Sequence, residues 1–152
     1  MSTQQINSFY VLGISVPTTN ANNQAATDIG GLWQKFMEEN IAFKIPNKID
    51  DTVYSVYCRY ERDYTAPYTT LLGCKVSSIG NVPDGLDAIE IASGDYQPFE
   101  AKGNLMEGAV YKTWIEIWNT NLARAYTTDF EVYDEKSADP NNAIVDIFIA
   151  LK

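Results

Sequence analysis

The hydrophobic pattern of this chain changes period in the same order twice, and few folds accommodate that. Residues 6–16 are rich in β-branched and aromatic side chains and read as a strand that Pro17 closes. Polar TTNANNQ at 18–24 supplies turn and cap residues. From Ala25 to Ile41, Ile29, Leu32, Trp33, Phe36, Met37 and Ile41 recur at helical spacing, with Gly30-Gly31 weakening the first turn. Two strand patterns follow, TVYSVYCRY at 52–60 and PYTTLLGCKV at 67–76. After GNVPDG at 80–85, a turn sequence, come LDAIEIAS at 86–93 and DYQPFEA at 95–101. A second helix is predicted over 107–122, its apolar arc carrying Val110, Trp114, Ile117 and Trp118. Strands at 127–134 and 143–151 end the pattern, separated by KSADPNN.

The order is strand-helix-strand-strand, then an extra strand near 86–93, then the same order again. Trp33 and Trp114 fall at comparable points of the two helices. This predicts a single α+β domain over 1–152, built from two βαββ modules in a pseudo-two-fold arrangement. Short strands with turn signals between them favour an antiparallel sheet, with two main helices around a central pocket at the seam.

Composition removes whole classes of function. The 152 residues contain no histidine, which excludes Ser-His-Asp and Cys-His nucleophile systems and histidine metal sites. Chemistry here would have to run on carboxylates, tyrosines or lysines. Cys58 and Cys74 sit in strand-like runs without ligand spacing and read as buried thiols; a redox pair would require their strands to be neighbours. Gly94 and Gly103 open neither a GxGxxG nor a P-loop pattern, so no cofactor is expected. The net charge of -9, from 20 acidic and 11 basic residues, opposes direct nucleic-acid binding and favours cationic ligands. No apolar run approaches the ~18 residues of a membrane span, and MSTQQINSFY lacks the marks of a secretory signal. A cytoplasmic location and no membrane partner are the expectation.

Several phrases resemble the GyrI-like small-molecule-binding family, which shares its fold with the effector-binding domains of AraC- and MerR-type regulators. They are YCRYERDYTAPYTTLLGCKV at 57–76, IASGDYQPFEAKG at 91–103, YKTWIEIWNTNLARAY at 111–126 and DFEVYD at 129–134. With the terminal IVDIFIALK they cover the chain from about residue 50 onward, whereas residues 1–45 match by strand-helix order alone. The resemblance implies a pocket for amphipathic cations with a glutamate near its floor, at the position of Glu131. In the regulators such a domain is fused to a helix-turn-helix. Strand-like sequence begins here at Ile6, so a stand-alone binding module is expected, with any DNA-binding or DNA-handling function belonging to a separate protein partner.

Strand alternation puts Asp129, Glu131 and Tyr133 on one face, and Phe130 and Val132 on the other. A carboxylate held among aromatic rings would attract a ligand cation strongly, because it is costly to desolvate unpaired. The candidate ligand-binding set is Glu131, Tyr133, Trp114, Trp118, Tyr57, Tyr96 and Phe99. Tyr96 and Phe99 alternate, so at most one should reach a given pocket. Tyr54 and Tyr60 share parity with Cys58, while Tyr57 has the other parity; which set lines a groove is open. RYERD at 59–63 reads as a solvated strand end, and Glu90 is the second carboxylate of interest. Two further readings stand beside the binding module. One, implied by the same resemblance, since some GyrI-like proteins hydrolyse lipophilic electrophiles with a tryptophan and a glutamate, is a hydrolase with Glu131 as general base and Trp114 holding the substrate. The other is a protein-interaction module that inhibits a DNA-handling enzyme.

Overall fold

The structure, a computed structural model, describes residues 2–152. Strands β1 (Gln4–Ile6) and β2 (Phe9–Thr18) lead into helices α1 (Gln24–Glu38) and α2 (Ile41–Lys44). Strands β3 (Lys48–Cys58), β4 (Tyr68–Val76), β5 (Asp87–Ile91) and β6 (Gly94–Gly103) follow, then α3 (Ala109–Trp118), β7 (Thr128–Tyr133) and β8 (Ala143–Ala150). All eight strands form one curled antiparallel sheet in the order β1-β6-β8-β7-β3-β4-β2-β5. The central six are β6-β8-β7 beside β3-β4-β2, which is one βαββ strand order followed by its reverse. The α+β class and the two-module arrangement are as the sequence implied.

The helices lie on one face of the sheet. α1 and α2 cover Leu12, Ile14, Leu72, Cys74 and Val76 of β2 and β4, burying Leu32 and Phe36 one helical turn apart. α3 covers Ala101, Val145, Ile147 and Ile149 of β6 and β8 through Trp114 and Ile117. Between these two packed regions the central strands β3 and β7 carry no helix. Their seam is set by the pairs Val53↔Tyr133, Ser55↔Glu131 and Tyr57↔Asp129. The opposite face holds a third core, in which Val11, Val56, Cys58, Leu71, Tyr96 and Phe130 pack without any helix because the sheet curls around them.

Strands β2 and β4 approach closely where Gly13 of β2 faces Gly73 of β4. A Cβ on Gly13 would fall 2.0 Å from the Leu72 carbonyl oxygen, and one on Gly73 would fall 2.2 Å from that of Leu12. The obstacles are backbone atoms, which cannot swing aside.

The structure corrects several boundaries. Pro17 does not end its strand: β2 runs to Thr18, with Pro17 opposite Thr69 of β4. The proline is tolerated because β5 pairs with β2 only from Phe9 to Gly13, so the Pro17 nitrogen faces no partner strand. The first strand is split at Asn7-Ser8, and the first helix breaks at Asn40, whose φ of 50° is one that asparagine adopts readily. Cys58 and Cys74 lie on neighbouring strands but opposite faces; both are free, and burial pushes each thiol up to about 11. No helix among the described residues is long and apolar enough to cross a membrane.

Two alanine substitutions should move stability in opposite directions. Gly31 is exposed within α1, and an added Cβ there meets nothing within 4 Å. Gly31→Ala is expected to stabilise by about 0.5–1 kcal/mol through the lost backbone freedom of the unfolded chain. Gly73→Ala is expected to destabilise by at least ~1–3 kcal/mol. Urea unfolding of the two variants and the wild type measures both signs.

Candidate functional site

Where the two modules leave β3 and β7 uncovered, a cavity of about 790 Å³ opens between α1 and α3. Tyr57, Tyr68, Glu131 and Tyr133 of the sheet form its floor. Ile29 and Trp33 of α1 wall one side, and Tyr111, Trp114 and Trp118 of α3 wall the other. The lining is aromatic and aliphatic because both helices turn their inner edges toward the same gap.

Glu131 is only 2% exposed, yet it has no ion-pair partner among the described residues. Three neutral donors hold it instead. Tyr57 Oη and Trp114 Nε1 donate to Oε2 at 2.7 and 2.6 Å, and Tyr133 Oη donates to Oε1 at 2.6 Å. Burial pushes the carboxyl above its ordinary range, and the donations from Tyr133, Trp114 and Tyr57 pull partly back. Burial and the neighbouring Glu131 in turn hold the Tyr57 and Tyr133 phenols far above their usual range, so both keep their protons and remain donors.

The pseudo-two-fold recurs in this shell. Tyr57 meets Trp114 of α3 edge-on at 5.3 Å between ring centroids, and Tyr133 meets Trp33 of α1 edge-on at 4.8 Å. The charge breaks it, since Ser55 lies directly opposite Glu131 on the neighbouring strand.

A second polar group lies behind the cavity lining, held by the lining residues Tyr60 and Arg124. Asp129 is fully buried and accepts from Tyr60 Oη at 2.6 Å, Arg124 Nη2 at 2.8 Å and the Ala150 backbone N–H at 2.8 Å. Beside it, Tyr64 stacks on Trp118 with centroids 5.5 Å apart and planes 12° from parallel.

Of the residues expected from sequence, Glu131, Tyr133, Tyr57, Trp114 and Trp118 line this cavity, and Tyr96 and Phe99 do not. Tyr96 lies on the opposite face, where its hydroxyl meets the Ala92 carbonyl at 2.6 Å and Thr128 Oγ1 at 2.9 Å. Phe99 shares a face with Glu131 but sits two strands away, opposite Ile147, within the core under α3. Glu90 is exposed on β5. Tyr60 departs from simple alternation: Arg59 has φ of 51°, which ends the pleat and returns Tyr60 to the cavity side with Tyr57 instead of Tyr54. RYERD is therefore not wholly solvated, because its tyrosine is tied to Asp129.

Sequence reasoning missed Trp33, Tyr68, Tyr64 and Arg124 as lining residues. Trp33 could have been found from its match with Trp114. Asp129 could have been found from its shared parity with Glu131. Arg124 sits in irregular chain between α3 and β7, where no periodic signal exists. Among the described residues no acidic or cysteine cluster is placed to hold a metal ion.

A curled antiparallel sheet with paired βαββ modules and an aromatic cavity at their seam is the architecture of an effector-binding module. The chain belongs to the family of integron-associated effector-binding proteins (Cass2), whose profile matches residues 4–151. It is similar to an integron cassette protein from the mobile metagenome of Vibrio cholerae, with 34% identity, a TM-score of 0.76, and 99% of this chain and 95% of that one covered. SAV2435, solved bound to tetraphenylphosphonium, has the same fold, with a TM-score of 0.78, 21% identity, and 99% and 93% of the two chains covered. The Bacillus subtilis (strain 168) protein YobU, named as a transcriptional regulator, is 28% identical over 144 residues, 92% of this chain and 90% of its own.

The stability profile with pH should report the buried carboxyl. A raised folded-state pKa means that Glu131 contributes most below the ordinary glutamate range of about 4–5. Its contribution is lost as pH rises from there through the folded-state value, because the folded protein then holds an unpaired buried charge. Glu131→Gln cannot ionise. The stability of the variant relative to wild type is therefore expected to increase as pH rises from about 4 to about 7, read from urea midpoints at each pH.

Proposed function

We propose that this protein binds amphipathic, weakly hydrated organic cations, with Glu131 as the counter-charge. The observation that carries the reading is a nearly inaccessible carboxylate facing an aromatic cavity, bonded to neutral donors only. A cation entering the cavity supplies the missing charge, and its attraction is strong because water is largely excluded. The surrounding rings add cation–π attraction of roughly 0.5–2 kcal/mol. The cavity volume lies within the range of about 300–1,000 Å³ usual for small-molecule sites.

The three donors also narrow the ligand class. They engage both carboxylate oxygens and fix their orientation, so a ligand need not hydrogen-bond to Glu131 to feel its charge. Phosphonium, quaternary ammonium and delocalised aromatic cations fit that requirement. The tetraphenylphosphonium bound by SAV2435, which shares the fold, is of this kind. Three donors already occupy the Glu131 oxygens, which leaves less room for the water that the hydrolase reading would have Glu131 deprotonate.

Tetraphenylphosphonium is a direct probe, followed by quenching of the three tryptophans, all of which line the cavity. Glu131→Gln is expected to weaken binding by about five- to a hundredfold, ~1–3 kcal/mol. Binding of triphenylmethanol, a neutral compound with three of the same rings, should stay or improve. Equal losses for both compounds would remove Glu131 as a charge-recognising group.

A further inference from the structure

The cavity has a second pole that cation recognition does not use. Arg124 lines it and is 6% exposed. Its guanidinium carbon lies 4.3 Å from the Tyr126 ring centroid, 5.8 Å from that of Tyr64 and 6.0 Å from that of Trp114. Its edge carries about five N–H donors, as in any guanidinium. Among the described residues one hydrogen bond draws on them, Nη2 to Asp129, and Nε is buried with no partner. The sealed Nε is out of a ligand's reach, whereas Nη1, which is not fully buried and makes no hydrogen bond among the described residues, is free to donate to an acceptor in the cavity.

The geometry points to Arg124 as a subsite for a neutral hydrogen-bond acceptor on the ligand, so that the preferred ligands are amphipathic cations bearing a carbonyl or similar oxygen about one aromatic ring from the charge. Trp114 fixes that spacing. One end of its indole donates to Glu131 at 2.6 Å, and its ring lies beside the Arg124 guanidinium. The anchoring carboxylates of the two poles, Asp129 and Glu131, are alternate residues on β7 and thus roughly 6.6 Å apart along the strand. A neutral acceptor fits better than a carboxylate. Arg124 is already neutralised by Asp129, and a further anion would sit in a cavity that also holds Glu131.

This inference rests on the cation reading, and a matched pair of probes separates the two. (4-Acetylphenyl)triphenylphosphonium carries a ketone where (4-isopropenylphenyl)triphenylphosphonium carries a carbon–carbon double bond of nearly the same shape. By titration calorimetry the wild-type protein is expected to bind the ketone about tenfold more tightly, the effect of one net hydrogen bond to a charged donor. In the double variant Arg124→Met/Asp129→Asn, which removes both members of the buried pair together, the ratio should fall to about one. Glu131→Gln should weaken both compounds and preserve the ratio, because the two poles act separately. Equal wild-type affinities would overturn the subsite whether or not the double variant folds, while leaving the cation reading standing. A ratio that survives in the folded double variant would overturn it equally. Failure of both compounds to bind wild type would remove the cation reading, and the subsite with it.

Discussion

A carboxylate without a counter-ion, buried at the junction of two modules, is the feature on which the cavity depends. Removing such a group from water costs several kcal/mol unless donors replace the lost hydration. Tyr57 from one module, Tyr133 beside it and Trp114 from the overlying helix supply that replacement. Their bonds offset part of the cost and leave the charge uncompensated. The same bonds keep three rings turned inward around an open volume when they could otherwise collapse into the gap between α1 and α3. The empty cavity and the unpaired charge are thus maintained by one set of contacts.

Repetition of the module explains why the cavity lies where it does, and asymmetry explains why its seam holds one buried carboxyl. Two βαββ modules placed side by side pair β3 with β7 and leave a groove above that pair, because each helix is occupied with the outer strands of its own module. The pairing Ser55↔Glu131 lies between the Tyr57–Trp114 and Tyr133–Trp33 contacts, which mirror one another. With glutamate on both strands at that point, two buried carboxylates would repel across the seam. With serine on one strand, the groove keeps the aromatic walls of both modules and a single negative centre.

Much of this architecture was legible in the sequence, because hydrophobic periodicity dictates which face of an element is buried. The spacing of Leu32 and Phe36 in the first helix, and of Asp129, Glu131 and Tyr133 in the seventh strand, reads correctly from period alone. The phrases shared with GyrI-like proteins then pointed to Glu131 among the carboxylates. What could not be read was set by departures from period. Arg59 in a left-handed conformation moves Tyr60 across the sheet, and Pro17 survives within a strand only because β5 stops short. Tyr96 and Phe99 alternate as expected, but their distance from the seam follows from strand order, which pattern does not encode. Arg124 comes from a segment without regular structure, and only the fold brings it to Asp129.

The central claim is that Glu131 is ready to meet a cation and is hard to ionise without one. Carbon-13 NMR of the side-chain carboxyl of Glu131, assigned by its loss in Glu131→Gln, measures this directly across pH with and without tetraphenylphosphonium. In the free protein the carboxyl should titrate above the ordinary glutamate range, because burial dominates its environment. With the cation bound, the titration should move downward, and binding near the free-protein midpoint should release protons in step with occupancy. A carboxyl that titrates in the ordinary range, or one whose titration is unmoved by saturating tetraphenylphosphonium, would contradict the account.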